Sequence, residues 1–285
     1  MSRGGWDDDR ETTGTGDAGR ELVHDGGARA LDTPERDVRQ QVQGPRGRDY
    51  QLRESEWRTL ETVGTFRVVA ATDVVGLARD ESVTRADLRH LSDVRLIQQK
   101  TAIVDHAATR LVVLTRDGKA LLEQYRADRQ QPEQQRFYAG FVKPRELAHD
   151  AQLYRAYKAE RARIESDGGR VSRVVLDYEL KRDYQTFLNR SDRPAEATLS
   201  ADREAFAQAH GLPIVDDHLE LPDLRLEVEL ADGSRDVRDI EVVTAHYSRG
   251  QLAGKVKAGF ALYRAGGGTT RGGTPYDPRG LEWLR

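Results

Sequence analysis

The chain has 285 residues and a net charge of −3, long enough for two ordinary domains and without the global basic signature of a protein that coats nucleic acid non-specifically. It contains no cysteine, which excludes disulfides, thiolate metal sites and thiol nucleophiles together and suits a reducing cytoplasm. No apolar run approaches the roughly 20 residues needed to span a bilayer, and Met1 to Asp9 carry no apolar signal segment, so a cytoplasmic protein without membrane contact is expected.

Residues 1–50 mix Gly, Asp, Arg, Thr and Gln without apolar periodicity and predict a disordered tail. Residues 51–126 predict the first folded domain. Its first helix begins near Arg53, with Ser55 as cap, Trp57, Leu60 and Val63 on one face, and Gly64 as its end. Residues 71–78 predict a second helix. A third, over 84–93, has Thr84 as cap and turns Leu88, Leu91 and Val94 inward. Two β-rich runs, 96–104 and 109–114, are broken at Asp105 to Ala108, and a further helix covers 118–126. Helices, hairpin and helix in that order predict a winged helix-turn-helix, a device that lays one helix in the major groove of duplex DNA.

Residues 127–144 predict a polar linker ending in an aromatic patch, Phe137 to Phe141, suited to docking one unit on the other or to holding a partner. The second domain, 145–264, opens with a helix over 146–166 whose apolar stripe is Leu147, Ala151, Tyr154, Tyr157 and Ile164. A strand at 171–178 and a charged helical insertion over 180–210 follow. Strands at 218–230, interrupted by Pro222, and at 236–243 flank a turn at Ala231 to Ser234. A helix over 248–264, capped by Ser248, closes the domain, and 265–285 predicts a flexible tail. The expected fold class is therefore α+β: an N-terminal winged helix-turn-helix followed by an α/β domain.

Two constellations could carry function. Arg85 and Arg89 lie four apart on the outward face of the third helix together with Ser92, in reach of phosphates or base edges. Lys100, His106 and Arg110 belong to the hairpin and could track the backbone. Asp87 and Asp93 share that helix and would repel phosphates if exposed; a winged helix used for protein contact is the alternative. The second constellation is Leu221-Pro222-Asp223 and Ile240-Glu241-Val242-Val243. One acid on each of two paired strands is how a small sheet holds Mg²⁺ through oxygen ligands, with water filling the remaining positions. His149-Asp150 at a helix start could add a metal ligand or base, or simply stabilise the positive end of the helix.

Helix, strand, strand pair and helix, with Pro222-Asp223 and then Glu241 flanked by Ile240 and Val242, resemble a PD-(D/E)XK nuclease core. That core places a Lys two residues after the second acid. Val243 stands there, so the pattern is degenerate, and Lys255 could supply the charge from the following helix. Over residues 53–264 the order of parts resembles the replication-relaxation family of plasmid and mobile-element proteins. The likeness rests on the 85–94 helix with its hairpin, the His149-Asp150 helix start, and Pro222-Asp223 followed by Glu241 and a helix over 255–263. The resemblance implies a DNA-binding accessory or regulatory protein of replication or mobilisation, with double-stranded DNA as partner and replication or conjugation proteins beside it, and no cofactor. The alternatives are a Mg²⁺-dependent nuclease with Asp223 and Glu241 as metal ligands and Lys255 as third catalytic residue, and an interaction module that ignores DNA. A homodimer is compatible with each, and no dimer helix stands out.

Overall fold

The structure, a computed structural model, describes residues 38–75, 80–104, 106–128, 135–194, 196, 198–244 and 247–264. They belong to one compact unit, Asp37–Arg285, with mixed α+β architecture. Residues 1–37 of the tail expected over 1–50, and the tail expected over 265–285, lie outside these residues. The tail does not extend to residue 50, however. Strand β1 (Gln40–Gln43) pairs antiparallel with β2 (Asp49–Leu52), and Tyr50 and Leu52 are buried. Alternation of Tyr50 and Leu52 with polar neighbours is the period-2 signal that a composition-based reading of this segment passes over.

Helix α1 (Glu54–Thr65) buries Trp57, Leu60 and Val63 as expected. It starts one residue before Ser55, which lies inside the helix, and it runs through Gly64 to Thr65. After β3 (Val69–Ala70), residues 71–75 form turns rather than the expected second helix, and 76–79 lie outside the described residues. Helix α2 (Glu81–Asp93) is capped by Asp80, whose carboxylate accepts from the Val83 amide at 2.9 Å, so Thr84 is not the cap. Strands β4 (Ile97–Val104) and β5 (Ala107–Leu114) pair from Ile97–Leu114 to Val104–Ala107. The turn is therefore tighter than the break predicted at 105–108. It contains His106, at φ 65°, and Asp105 is outside the described residues. β3 adds to β5, giving sheet order β3-β5-β4, and α3 (Arg116–Asp128) follows. Among the described residues this is the order of parts expected of a winged helix, without the second helix.

Helix α4 (Pro144–Ser166) leads to β6 (Arg170–Leu176), α5 (Asp177–Leu188), α6 (Leu199–His210) and the small pair β7 (Ile214–Val215) and β8 (His218–Leu219). Strands β9 (Leu224–Glu229) and β10 (Arg235–Val243), helix α7 (Arg249–Lys257) and β11 (Ala261–Arg264) complete the chain. Pro222 falls in the loop that divides β8 from β9. The final helix is shorter than the expected 248–264. Gly259, at φ +80°, ends it in a conformation that side chains disfavour, and Ala261–Arg264 then pairs parallel to β10. The four-stranded sheet has order β11-β10-β9-β6, with the first three in the chain antiparallel and the last reached by a helical crossover.

One long helix joins these parts. Leu147 and Ala151 of α4 pack with Val68, just before β3, and with Ala70 and Leu111 of the three-stranded sheet. Leu153, Tyr154, Ala156 and Ile164 pack in the core that also contains Leu226, Ile240 and Tyr263 of the four-stranded sheet. Apolar residues on both sides of one helix follow from its position between two sheets, because each face removed from water must be apolar.

Candidate functional site

Two charged regions stand out, and they are built oppositely. In the first, α2 and the β4–β5 hairpin border a groove of about 530 Å³ whose lining includes Arg85, Arg89, Ser92 and Arg110. Arg85 and Arg89 are exposed on successive turns of α2, with Arg85 held by Glu81 one turn back. Ser92 is half-buried and accepts from Gln99 Nε2 at 2.7 Å, which ties α2 to β4. Asp93 and Glu81 also line the groove, so it is not of one sign. Asp87 is withdrawn. It is 1% exposed, accepts from Ser55 Oγ at 2.6 Å, and pairs with Arg53 at 3.3 Å behind the helix.

The other two hairpin residues lie elsewhere. Lys100 pairs with Leu111 and Arg110 with Thr101, so the two side chains leave opposite faces of the hairpin. Lys100 Nζ instead stands 5.9 Å from the Phe141 ring centre. His106 is exposed at the turn and does not line the groove.

Buried behind α2 is a network that sequence reasoning misses. Glu56, 0% exposed, accepts from Arg39 at 2.7 Å and from the Arg53 amide at 2.9 Å, and stands 2.7 Å from His90 Nδ1. It couples the entry to α1 with the last turn of α2. The available signal is weak: Glu three residues after the helix start is a capping pattern, which says nothing of long-range partners.

The second region is the end of the four-stranded sheet where β9 begins and β10 finishes. Asp223, Glu241 and Lys255 meet there. Glu241, buried, accepts from the Asp223 amide at 3.2 Å and from Tyr247 Oη at 2.5 Å, and Lys255 Nζ lies 3.3 Å from it. Asp223 accepts from the Val242 amide at 2.8 Å and pairs with His149 Nε2 at 3.2 Å. Lys255 also donates to the Leu221 carbonyl at 2.8 Å and pairs with Glu220 at 3.2 Å. Lys255 thus sits on α7, with the expected 255–263 helix cut short by β11.

Burial and the neighbouring Asp223 charge push the Glu241 carboxyl up to about 7, against the pull of Lys255 and Tyr247. Burial works against the charged form of His149, but the hydrogen bond and charge of Asp223, with Asp150 and Asp177 nearby, outweigh it and raise the imidazole to about 9. Asp150 is raised to about 6 by burial, despite Arg67 at 3.4 Å. Burial and the surrounding carboxylates hold the Tyr247 hydroxyl protonated far above its ordinary range, so it is a donor to Glu241.

These residues do not fit a divalent ion as they are arranged. Such an ion needs several oxygen ligands, and among the described residues no three acidic or imidazole side chains converge on one point. Each oxygen of the Asp223 and Glu241 carboxylates already faces an amide, Tyr247, His149 or Lys255. His149 and Lys255 face the two acids, with Glu220 sharing Lys255.

No protein-family model matches the chain, and no curated protein matches it. A solved structure, the crystal structure of Bacillus subtilis PadR in complex with operator DNA, aligns at 14% identity with a TM-score of 0.23, covering 54% of this chain and 88% of that one. A score that low carries no argument about fold or ligand. No described helix is long and apolar enough to cross a membrane.

Proposed function

We propose that this chain is a DNA-binding accessory or regulatory protein that holds duplex DNA through a winged-helix domain. Helix α2 enters the major groove and the β4–β5 hairpin lies beside it. The observation that carries this reading is the joint placement of Arg85, Arg89 and Arg110 on one open groove, with Asp87 buried behind the helix. Outward guanidinium groups suit phosphate oxygens and guanine edges through their forked donors. A cytoplasmic role in replication or mobilisation of a plasmid or mobile element, beside replication or conjugation proteins, rests on the family resemblance of the sequence.

The test is duplex affinity as a function of salt. Counterion release gives an apparent slope of about −0.9 per neutralised phosphate. The Arg85→Ala, Arg89→Ala double variant is expected to bind about tenfold or more weakly with a shallower slope, each lost contact contributing on the order of 1 kcal/mol. Unchanged affinity and slope would remove α2 from the interface.

The convergence of Asp223, Glu241 and Lys255 favours one second reading, a Mg²⁺-dependent nuclease of PD-(D/E)XK type. It requires the carboxylates to release His149 or Lys255. A supercoiled plasmid nicked with Mg²⁺ or Mn²⁺ by the wild-type chain, and left intact by Asp223→Ala, would establish it. An intact plasmid with the wild type, or nicking retained in the variant, rejects it.

A further inference from the structure

A second groove, of about 700 Å³, lies between α3, the segment 135–142 and the start of α5. Among the described residues its cations are Arg67, Lys119, Arg126, Arg136 and Arg182, and the acidic residue in its lining is Glu123, which pairs with Lys119 at 3.5 Å. Interleaved with them are Phe137, Tyr138, Phe141 and Tyr178. The guanidinium groups are held in place by carboxylates outside the lining: Arg126 by Glu61 at 2.6 Å, Arg136 by Glu179 and Asp183 at 3.3 and 3.2 Å, and Arg67 by Asp150 at 3.4 Å. Positioned cations lose less freedom when a ligand arrives. Tyr178 is 47% exposed, an unusual position for a ring of that size. Arg67 sits 5.0 Å from its centre and Tyr138 meets it edge-on at 5.9 Å, so the ring is braced while much of its surface stays open. Arg182 is also exposed, follows Tyr178 by one helical turn on α5, and shares Asp183 with Arg136 at 3.2 Å, a partly exposed pair of the kind that exchanges readily for a ligand.

Cations that track a phosphate backbone, alternating with rings that take bases, are the recognition chemistry of unpaired nucleic acid. A double helix keeps its bases stacked inside and offers nothing to Tyr178. An acidic peptide would satisfy the arginines but leave the open ring unused. We infer that this groove binds single-stranded nucleic acid, stacking a base on Tyr178 and pairing the flanking phosphates with Arg136 and Arg182. This site is separate from the α2 groove and does not rest on the duplex reading.

The experiment measures fluorescence anisotropy of a labelled oligothymidylate with the full chain. Tyr178→Ala is expected to weaken binding about tenfold, the range for one lost base stack, and Tyr178→Phe to retain it. Arg182→Ala is expected to weaken it several-fold and flatten the salt dependence. None of these changes should alter duplex affinity, and the Arg85→Ala, Arg89→Ala double variant should leave oligothymidylate affinity unchanged. Both substituted α5 residues are exposed, so thermal melting that matches the wild type is expected to accompany the loss. Absence of oligothymidylate binding, equal binding by Tyr178→Ala, or displacement by polyglutamate as readily as by unlabelled oligothymidylate would overturn the inference.

Discussion

The α2 groove and the Asp223 cluster both gather charged residues, but they dispose of the charge differently. In the α2 groove, Arg89 of α2 and Arg110 of β5 have no ion-pair partner among the described residues, and Arg85 has only a solvent-exposed one one turn away. Exposed pairs of that kind contribute little and exchange readily for a ligand. In the cluster, Asp223 is matched by His149 and Glu241 by Lys255, and the remaining carboxylate oxygens are met by backbone amides and Tyr247. Charges left outward are available to a polyanion, whereas charges turned on each other hold the sheet end together. Solvent exposure of the cation, rather than the number of charged residues, separates a surface that can bind from one that is committed to the fold.

The largest effect should come from the buried network that ties α1 to α2. Glu56→Ala leaves Arg39, the Arg53 amide and His90 without their buried acceptor. Removing one partner of a buried ion pair costs about 3–5 kcal/mol, so urea denaturation should show a loss of that order. A loss below about 1 kcal/mol, the scale of an exposed pair, would mean that the network does not hold α1 to α2.

The next effect is steric. Gly118 lies near the start of α3, where a Cβ would collide with the Leu96 carbonyl oxygen at the entry to β4. Alanine is ordinarily the better helix residue by about 1 kcal/mol. Here overpacking should outweigh that preference, and Gly118→Ala is expected to destabilise by about 1–3 kcal/mol. A stabilised variant would show that the hairpin does not approach α3 as closely as the structure has it.

Smaller still, and specific to the cluster, is the pH dependence of stability. Asp150, Glu241 and His149 all have folded-state pKa values above their ordinary ones, at about 6, 7 and 9. A raised pKa means the folded state holds the proton more tightly, so stability is fully present below the ordinary value and is lost as pH rises through the folded one. The window runs from about 3.8 to 6 for Asp150, 4.5 to 7 for Glu241 and 6.5 to 9 for His149. The melting temperature should therefore decline from mildly acidic pH towards pH 9. Glu241→Gln should flatten the slope between about 4.5 and 7, where the wild-type carboxyl ionises. A wild-type profile that rises over this range would contradict the burial described for the cluster.

Much of this was legible beforehand because periodicity reports which face is buried. Trp57, Leu60 and Val63, Leu88 and Leu91, and the stripe on α4 all reach the core. What escaped depended on partners distant in sequence. Tyr50 and Leu52 are buried through pairing with β1, which short polar strands do not advertise. The helix over 248–264 breaks at Gly259 because β10 offers an edge to Ala261–Arg264, a tertiary gain that outweighs local helical preference. Asp223, Glu241 and Lys255 could be named from their pattern, but the pairing of His149 with Asp223 could not. His149 comes from a helix more than 70 residues upstream of Asp223, and no local spacing links them. The paired Tyr247 was hidden for the same reason: its role depends on where α7 starts relative to β10.

The smallest expected effect is also the sharpest check on which side of the hairpin meets DNA. Lys100 and Arg110 are nearly opposite each other in sequence terms, and both read as basic hairpin residues. The register separates them. Arg110 shares a face with Thr101 and lines the α2 groove, whereas Lys100 shares a face with Leu111 and reaches towards Phe141. Arg110→Ala should weaken duplex binding about fivefold, on the order of 1 kcal/mol, and reduce the salt slope by roughly one phosphate contact. Lys100→Ala should change duplex affinity by about twofold or less, the residual of a screened charge about a Debye length, roughly 10 Å, from the phosphates. If the two substitutions weaken binding equally, the double helix grips the hairpin from its tip across both faces, and α2 with Arg85 and Arg89 is not the element seated in the groove.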